Sequence, residues 1–172
     1  RRGVGTGAPL AVPGIAGEGL HPDLRASAAG ALFDGALQRP AQLSGGAALQ
    51  ELDVKFPKEI DGIAVGRKAM SLHFLHAAGW PSEIGTPIGS YTVHYSTGAT
   101  REIPIVYGRD VSDWWANDST AARVAWTGAN QASTDGPPIK LYITSWENPL
   151  PEAEITSLDF RSAMQNSAPF VV

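Results

Sequence analysis

The sequence contains no cysteine, which excludes disulfide bridges, thiolate nucleophiles and cysteine-ligated zinc. Basic residues are few: 13 Lys and Arg stand against 17 Asp and Glu, and no basic stripe is present to neutralise phosphates. We therefore expect no nucleic acid partner. No apolar run approaches the roughly 20 residues that cross a bilayer, so no membrane span is predicted. The chain begins with Arg1 instead of Met, and we expect it to be a piece of a longer protein.

Short segments rich in β-branched and aromatic residues follow one another through the second half of the chain. None keeps helical spacing over more than about two turns, so each is predicted to be a strand. These segments are Met70–Ala77, Tyr91–Ser96, Arg101–Val106, Arg123–Thr127, Lys140–Trp146, Ile155–Arg161 and Pro169–Val172, with Glu51–Phe56 and Gly62–Val65 as two further short strands. Turns are predicted at Thr97-Gly98, Gly85-Thr86-Pro87 and Gly89-Ser90.

Alternation along these strands predicts one buried and one solvent-facing side for each. The predicted buried sides carry Leu72, Phe74 and His76, then Tyr91, Val93 and Tyr95, and then Leu141 and Ile143, with Tyr142 and Thr144 facing away. One buried face and one solvent-exposed face are typical of antiparallel sheets. The sequence therefore predicts an all-β chain folded as an antiparallel β-sandwich.

Length and composition allow one hydrophobic core, since 43% of the 172 residues are hydrophobic. Glycine, alanine and proline are concentrated in residues 1–50, a composition that favours extended chain. We predict that residues 1–50 wrap around or extend from the domain and that residues 51–172 form the sandwich.

The chain from Gly66 to Val172 resembles galactose-binding-like jelly-roll domains, similar to carbohydrate-binding modules, of secreted bacterial proteins that degrade polysaccharides or sit on the cell surface. The resemblance lies in the blocks LHFLHAAGW, IGSYTVHYSTG, EIPIVYGRDVSDWW, RVAWTGAN, LYITSWENPLPEAEITSLDF and APFVV. It implies a jelly-roll sandwich, an extracellular or cell-surface location, and attachment to neighbouring domains of a larger chain.

Sugar binding needs a flat aromatic face and nearby hydrogen-bonding side chains. The loop after the predicted strand Arg101–Val106 supplies both. Its candidate ligand residues are Tyr107, Arg109, Asp113, Trp114 and Trp115. Adjacent residues in extended chain face opposite ways, so one tryptophan of the pair is expected outward and the other as an anchor. A second candidate rim is Trp146-Glu147-Asn148, and Trp80 closes another strand. For each, packing against the core is the competing interpretation, and Trp126 is read as a core residue or, second, as a sheet-surface residue.

Three histidines, His73, His76 and His94, are candidates for a metal or catalytic site, but their spacing argues against one. His73 and His76 are three residues apart and point to opposite faces of a strand, so they cannot converge on one ion. We expect His76 to be buried and hydrogen-bonded, and His94 to lie on a sheet surface.

The acidic residues Asp110, Asp113 and Asp118 can hold a calcium ion, or they are solvated loop charges. No pair of carboxylates is singled out for hydrolysis, and no nucleophile elbow is present. The sequence thus predicts a non-catalytic module that binds a polysaccharide or oligosaccharide for an attached enzyme or surface protein. The alternative is a structural or self-association module whose sheet edges or glycine-rich arm contact neighbouring copies.

Overall fold

The computed structural model of the chain describes residues 42–43, 57–117, 119–129 and 136–172. Regular structure within these residues consists of strands. The strands are β1 (Gln42–Leu43), β2 (Glu59–Arg67), β3 (Ser71–Gly79), β4 (Pro87–Tyr95), β5 (Thr100–Val106), β6 (Val124–Gly128), β7 (Ile139–Glu147), β8 (Ile155–Ser162) and β9 (Ala168–Val171). The predicted strand Glu51–Phe56 and most of the segment 1–50 lie outside the described residues. In the part of the chain that is described, no helix is long and apolar enough to cross a membrane.

The strands form two antiparallel sheets. One has the strand order β1-β9-β3-β7-β6, and the other has the order β2-β8-β4-β5. Their inner faces meet in the core, where the ring of Phe74 on β3 stacks on Tyr91 of β4 with centroids 4.1 Å apart. Tyr91 in turn stacks on Phe160 of β8 at 5.2 Å. The predicted antiparallel β-sandwich is confirmed.

The core is built from the alternate residues of facing strands. Leu72, Phe74 and His76 are buried on β3, as predicted, and so are the alternate β4 residues Tyr91, Val93 and Tyr95. These side chains remove a large apolar area from water, which is the main favourable term in the stability of such a domain.

The prediction for β7 was wrong about which residues enter the core. Tyr142 belongs to the main core cluster, whereas Ile143 forms a small separate cluster with Ala125. Tyr142 pairs with His76 across the sheet, so the two side chains share the inner face. Burial of a tyrosine is tolerated here because its hydroxyl donates a hydrogen bond to the Asp113 carbonyl at 3.2 Å.

The start of β4 also differs from the prediction. Gly89 and Ser90 are strand residues and not a turn, since β4 begins at Pro87. A Cβ atom on Gly89 would overlap the backbone oxygen of Arg161 on the neighbouring strand, so glycine serves close approach of two strands. The hairpin turn at Gly98 is confirmed by its φ of +83° and by its N–H, which donates to the Tyr95 carbonyl.

Candidate functional site

The candidate ligand residues fall at the two opposite ends of the sandwich. Trp146 and Glu147 lie beside the first residues of β3, whereas Trp80 follows its last residue, Gly79. Nine strand residues span roughly 26 Å. We call the end at Gly79 the loop end, and it also carries the segment 107–117. The second candidate rim is therefore far from the loop end and cannot share one small ligand with it.

A short extended stretch at the loop end is inserted between β3 and β7. The Ala78 N–H donates to the Ser112 carbonyl at 3.1 Å, and the Trp114 N–H donates to the Ala78 carbonyl at 2.8 Å. On the other side, the Lys140 N–H donates to the Trp114 carbonyl at 2.7 Å. The Trp114 indole is half-buried and packs edge-on against Phe170, with centroids 6.0 Å apart. Trp114 is thus the anchor of the tryptophan pair.

Trp115 is the outward member of the pair, with 39% of its surface exposed. Its indole N–H donates to the Pro137 carbonyl at 3.0 Å, and its backbone N–H donates to Oδ1 of Asp113 at 2.9 Å. Gly136 lies against the ring so closely that a Cβ atom there would be 2.7 Å from Cζ2. The indole is therefore both exposed and fixed in orientation.

Tyr107 supports this loop from inside the sandwich. Its side chain is 2% exposed, and its hydroxyl accepts hydrogen bonds from the Asp113 N–H and the Ser112 hydroxyl, both at 3.2 Å. Tyr107 is a predicted ligand residue, but in the structure it is buried and its hydroxyl positions Asp113.

Arg109 and Asp110 form a two-bond pair at the base of the loop. The Arg109 Nε and Nη2 atoms donate to the Asp110 carboxylate at 2.9 and 2.7 Å, and the Val106 N–H donates to the same carboxylate at 2.8 Å. The hydrogen bond to Asp110 raises the pKa of the Arg109 guanidinium above its ordinary value. The Arg109 side chain is 60% exposed while that of Asp110 is 9% exposed, so a positive group is held rigidly at the surface.

The same bonds bear on the proposed calcium ligands. The Asp110 carboxylate is occupied by a guanidinium, Asp113 accepts a backbone N–H, and Asp118 lies outside the described residues. Across residues 57–117, 119–129 and 136–172, no group of three acidic or histidine side chains is close enough to hold a metal ion. What Asp110 and Asp113 do in this structure is hold the loop.

A chain of hydrogen bonds runs from the core to this loop. The His76 Nδ1 atom lies 2.9 Å from the Tyr91 hydroxyl, and Nε2 lies 2.9 Å from the Thr144 hydroxyl. Thr144 donates to the Asp110 carbonyl at 3.3 Å, because a carbonyl can only accept. Thr144 must then accept from Nε2–H, so His76 carries its proton on Nε2 and accepts at Nδ1 from Tyr91. Burial lowers the pKa of His76 to about 4. The charge of Asp110 and a hydrogen bond with the Asp110 backbone act in the opposite direction and raise it in part.

His94 lies on a sheet surface. His94 is half-buried on the outer face of the four-stranded sheet, where its Nε2 atom is 2.6 Å from the Asp159 carboxylate. The Gly62 N–H donates to the same carboxylate at 2.9 Å. Burial alone would raise the pKa of Asp159, but the hydrogen bonds from Gly62 and His94 and the charges of His94 and Arg161 together lower it. The predicted surface position of His94 is confirmed, as is the buried position of His76.

At the opposite end, Asn148 has its side chain committed to the protein. The amide oxygen accepts hydrogen bonds from the Tyr95 hydroxyl at 2.5 Å and from the Leu150 N–H at 2.9 Å. The amide nitrogen donates to the Ala69 carbonyl at 2.7 Å. Trp146 is half-buried against the core, and Glu147 is exposed. The Asn148 amide is therefore already bonded within the protein, so this rim has fewer polar groups for a ligand than its sequence suggests.

Trp80, at the loop end, has an unusual backbone for a bulky residue, with φ at +63°. Its carbonyl accepts a hydrogen bond from the Ser167 hydroxyl at 2.6 Å, which ties the loops after β3 and β8 together. The side chain is half-buried.

Trp126 was not named as a ligand candidate, and the structure places it at the surface of edge strand β6. It pairs with Leu141, and its ring lies against Gly128. Two tryptophans therefore pair with the start of β7, Trp114 through Lys140 and Trp126 through Leu141, and Trp115 bonds to Pro137, which precedes β7. The signal in the sequence is the Trp-x-Gly spacing, which puts the glycine on the same side of the strand as the ring.

Comparison with protein-family models, with curated proteins and with solved structures found no match for this chain. The geometry of the loop end therefore carries the functional argument. It offers a fixed, exposed indole, a guanidinium held by a carboxylate, and the Lys140 ammonium, which donates to the Ala116 carbonyl at 2.9 Å beside Trp115. Such a surface can stack a flat apolar face and donate hydrogen bonds around it.

Proposed function

We propose that this chain is a non-catalytic carbohydrate-binding module that binds a polysaccharide or oligosaccharide at its loop end. The observation that carries the proposal is Trp115, whose indole is exposed yet held by Pro137 and Gly136. A ring fixed before binding loses little rotamer freedom when a ligand stacks on it. The C–H face of a sugar ring is a suitable partner for such a platform.

Polar groups in the same loop suit the hydroxyls of a sugar. Arg109 keeps N–H groups exposed while Asp110 fixes its guanidinium, and Lys140 brings an ammonium next to Ala116. These groups are donors, and sugar hydroxyls can accept from them. Phosphate binding is less well supported because the net charge of the chain is −4.

A binding role accounts for the acidic residues of the loop better than hydrolysis does. Glycosidic cleavage uses two carboxyl groups across a cleft. Asp110 is paired with Arg109, and Asp113 accepts from the Trp115 backbone, so both hold the loop.

We assign the sandwich to the jelly-roll topology of galactose-binding-like domains. Support comes from the strand orders, because β1 to β4 alternate between the two sheets and β8 and β9 return beside β2 and β3. Two antiparallel sheets wound in this way are characteristic of jelly rolls. With the resemblance of the sequence, this assignment favours an extracellular or cell-surface protein in which the module serves an attached enzyme.

Two of the four edge strands, β5 and β6, disfavour self-association through sheet edges. Edge strand β5 carries exposed Glu102 and Pro104, and a proline cannot donate to an added strand. Edge strand β6 is short and has a bulge between Val124 and Trp126. Both features block the addition of another strand.

A glycan array probed with the whole chain tests the proposal. We expect binding to at least one polysaccharide-derived glycan, and loss of that signal in Trp115→Ala with an unchanged circular dichroism spectrum. An array without signal, together with a dimer or larger species in light scattering, would overturn the proposal and favour self-association.

A further inference from the structure

A small apolar cluster lies on the outer face of the five-stranded sheet. Leu75 on β3 pairs with Ile143 on β7, and their chain neighbours Phe74 and Tyr142 belong to the main core. Because successive side chains on a strand alternate, Leu75 and Ile143 point away from that core. Ala125 of β6 packs with them. We call these three residues the outer cluster.

The outer cluster is shielded from water. Ile143 and Ala125 are each 3% exposed, whereas Val124, next to Ala125 on the same edge strand, is 38% exposed. The outer face of an antiparallel sheet is ordinarily the wet one. Burial this deep on an outward face indicates that further chain crosses it.

Strand β1 brings the N-terminal part of the chain to the edge of this same sheet. Gln42 pairs with Val171 of β9. Since β9 is antiparallel to both β1 and β3, the chain that precedes Gln42 leaves past Val172. The Val172 N–H donates to the Leu75 carbonyl at 2.9 Å. The segment before β1 therefore meets the sheet at the level of the outer cluster.

Residues 32–41, which lie outside the described residues, have the length and composition to cross this face. Four strand spacings separate β1 from β6, roughly 19 Å, a distance that roughly six extended residues span. The segment carries three bulky apolar residues, Leu32, Phe33 and Leu37. Residues 44–58 connect β1 to β2 in the other sheet, so the chain on that side of β1 is committed elsewhere.

We propose that residues 32–41 lie across the outer face of the five-stranded sheet and cover the outer cluster with their apolar side chains. This proposal does not depend on the proposed function. It makes the segment a part of the domain and not a linker. It also closes this face, so that a glycan cannot reach the outer cluster.

Single cysteines test the proposal in the whole chain, which has no cysteine of its own. Ala125→Cys places a thiol in the outer cluster, and Val124→Cys places one on its exposed neighbour as the matched control. Reaction with N-ethylmaleimide, followed by mass spectrometry, reports how accessible each thiol is. Ala125→Cys is expected to react about tenfold or more slowly than Val124→Cys.

Substitutions in the proposed cover should remove this protection. The test variant adds three changes to the Ala125→Cys chain: Leu32→Ser, Phe33→Ser and Leu37→Ser. Its thiol should react nearly as fast as that of Val124→Cys, with an unchanged circular dichroism spectrum. A matched variant carries three changes of the same kind further from β1: Leu10→Ser, Val12→Ser and Ile15→Ser. Its thiol should stay slow. Leu37→Ser alone should raise the rate in part, which keeps the test decisive if the triple variant does not fold.

Three results would overturn the proposal. Fast reaction of Ala125→Cys in the otherwise unchanged chain would show that the face is open. Slow reaction that persists with Leu37→Ser and with the triple change would show that another part of the molecule is the cover. Protection that increases with protein concentration would assign the cover to a second copy of the chain.

Discussion

The Nδ1 atom of His76 lies 2.9 Å from the hydroxyl of Tyr91 inside the sandwich, so a neutral histidine bridges the two sheets. Through Thr144, the same imidazole is linked to the carbonyl of Asp110 in the loop that carries the candidate site. Two successive hydrogen bonds therefore connect a buried, neutral ring to that loop.

Stability is expected to fall in mild acid because of His76. Burial lowers its pKa from 6.5 to about 4, so the unfolded chain takes up a proton at a higher pH than the folded chain. Above about pH 6.5 the neutral His76 does not reduce the free energy of unfolding. As the pH falls toward about 4, protonation of the unfolded chain reduces that free energy by about 3 kcal/mol. Urea denaturation between pH 7 and pH 4 measures it. His76→Gln should flatten that part of the profile, and an equally steep profile in the variant would contradict the assignment.

Phe160 is expected to be a major contributor to the core. It is fully buried and stacks on Tyr91, so Phe160→Ala should lower the free energy of unfolding by about 3 to 5 kcal/mol through lost burial and a cavity. Met70 is 72% exposed, so Met70→Ala should change it by less than about 0.5 kcal/mol. Thermal or urea denaturation compares the two. Equal stability of both variants would show that the inner face has been misassigned.

Asn148→Ala is expected to affect stability and not glycan binding at the loop end. The substitution leaves the buried Tyr95 hydroxyl and the Ala69 carbonyl without their partner, at a cost of about 1 to 3 kcal/mol. Urea denaturation gives the stability, and binding to the glycan selected on the array gives the function. A folded Asn148→Ala chain with lost glycan binding would instead place the ligand at the opposite end of the sandwich.

Much of the fold could be predicted from alternation alone. Strands such as β4, with Tyr91, Val93 and Tyr95 on one side, have a period of two that leaves little choice of face. The prediction failed at Tyr142 because Leu141 and Ile143, which alternate with it, form the more apolar side of the strand. In the structure the Tyr142 hydroxyl donates to a carbonyl and the ring fills the core. The prediction failed at Gly89 because only the neighbouring strand reveals that glycine serves close packing there.

The candidate site could be predicted only in part. Adjacency of Trp114 and Trp115 correctly predicted one anchor and one outward ring. Which of the two is outward depends on Phe170 and Pro137, which are distant in sequence. Trp126 was read chiefly as a core residue because strand position alone does not tell an edge strand from a central one.

The most direct test of the account is the glycan affinity of Trp115→Ala compared with that of Trp146→Ala. Both remove a tryptophan at the end of the sandwich, but only Trp115 belongs to the loop end. Titration calorimetry with the glycan selected on the array should show Trp115→Ala weakened by about 1 to 3 kcal/mol, as for loss of one stacked ring. Trp146→Ala should retain the parent affinity. Parent affinity in Trp115→Ala together with loss of binding in Trp146→Ala would contradict the central claim.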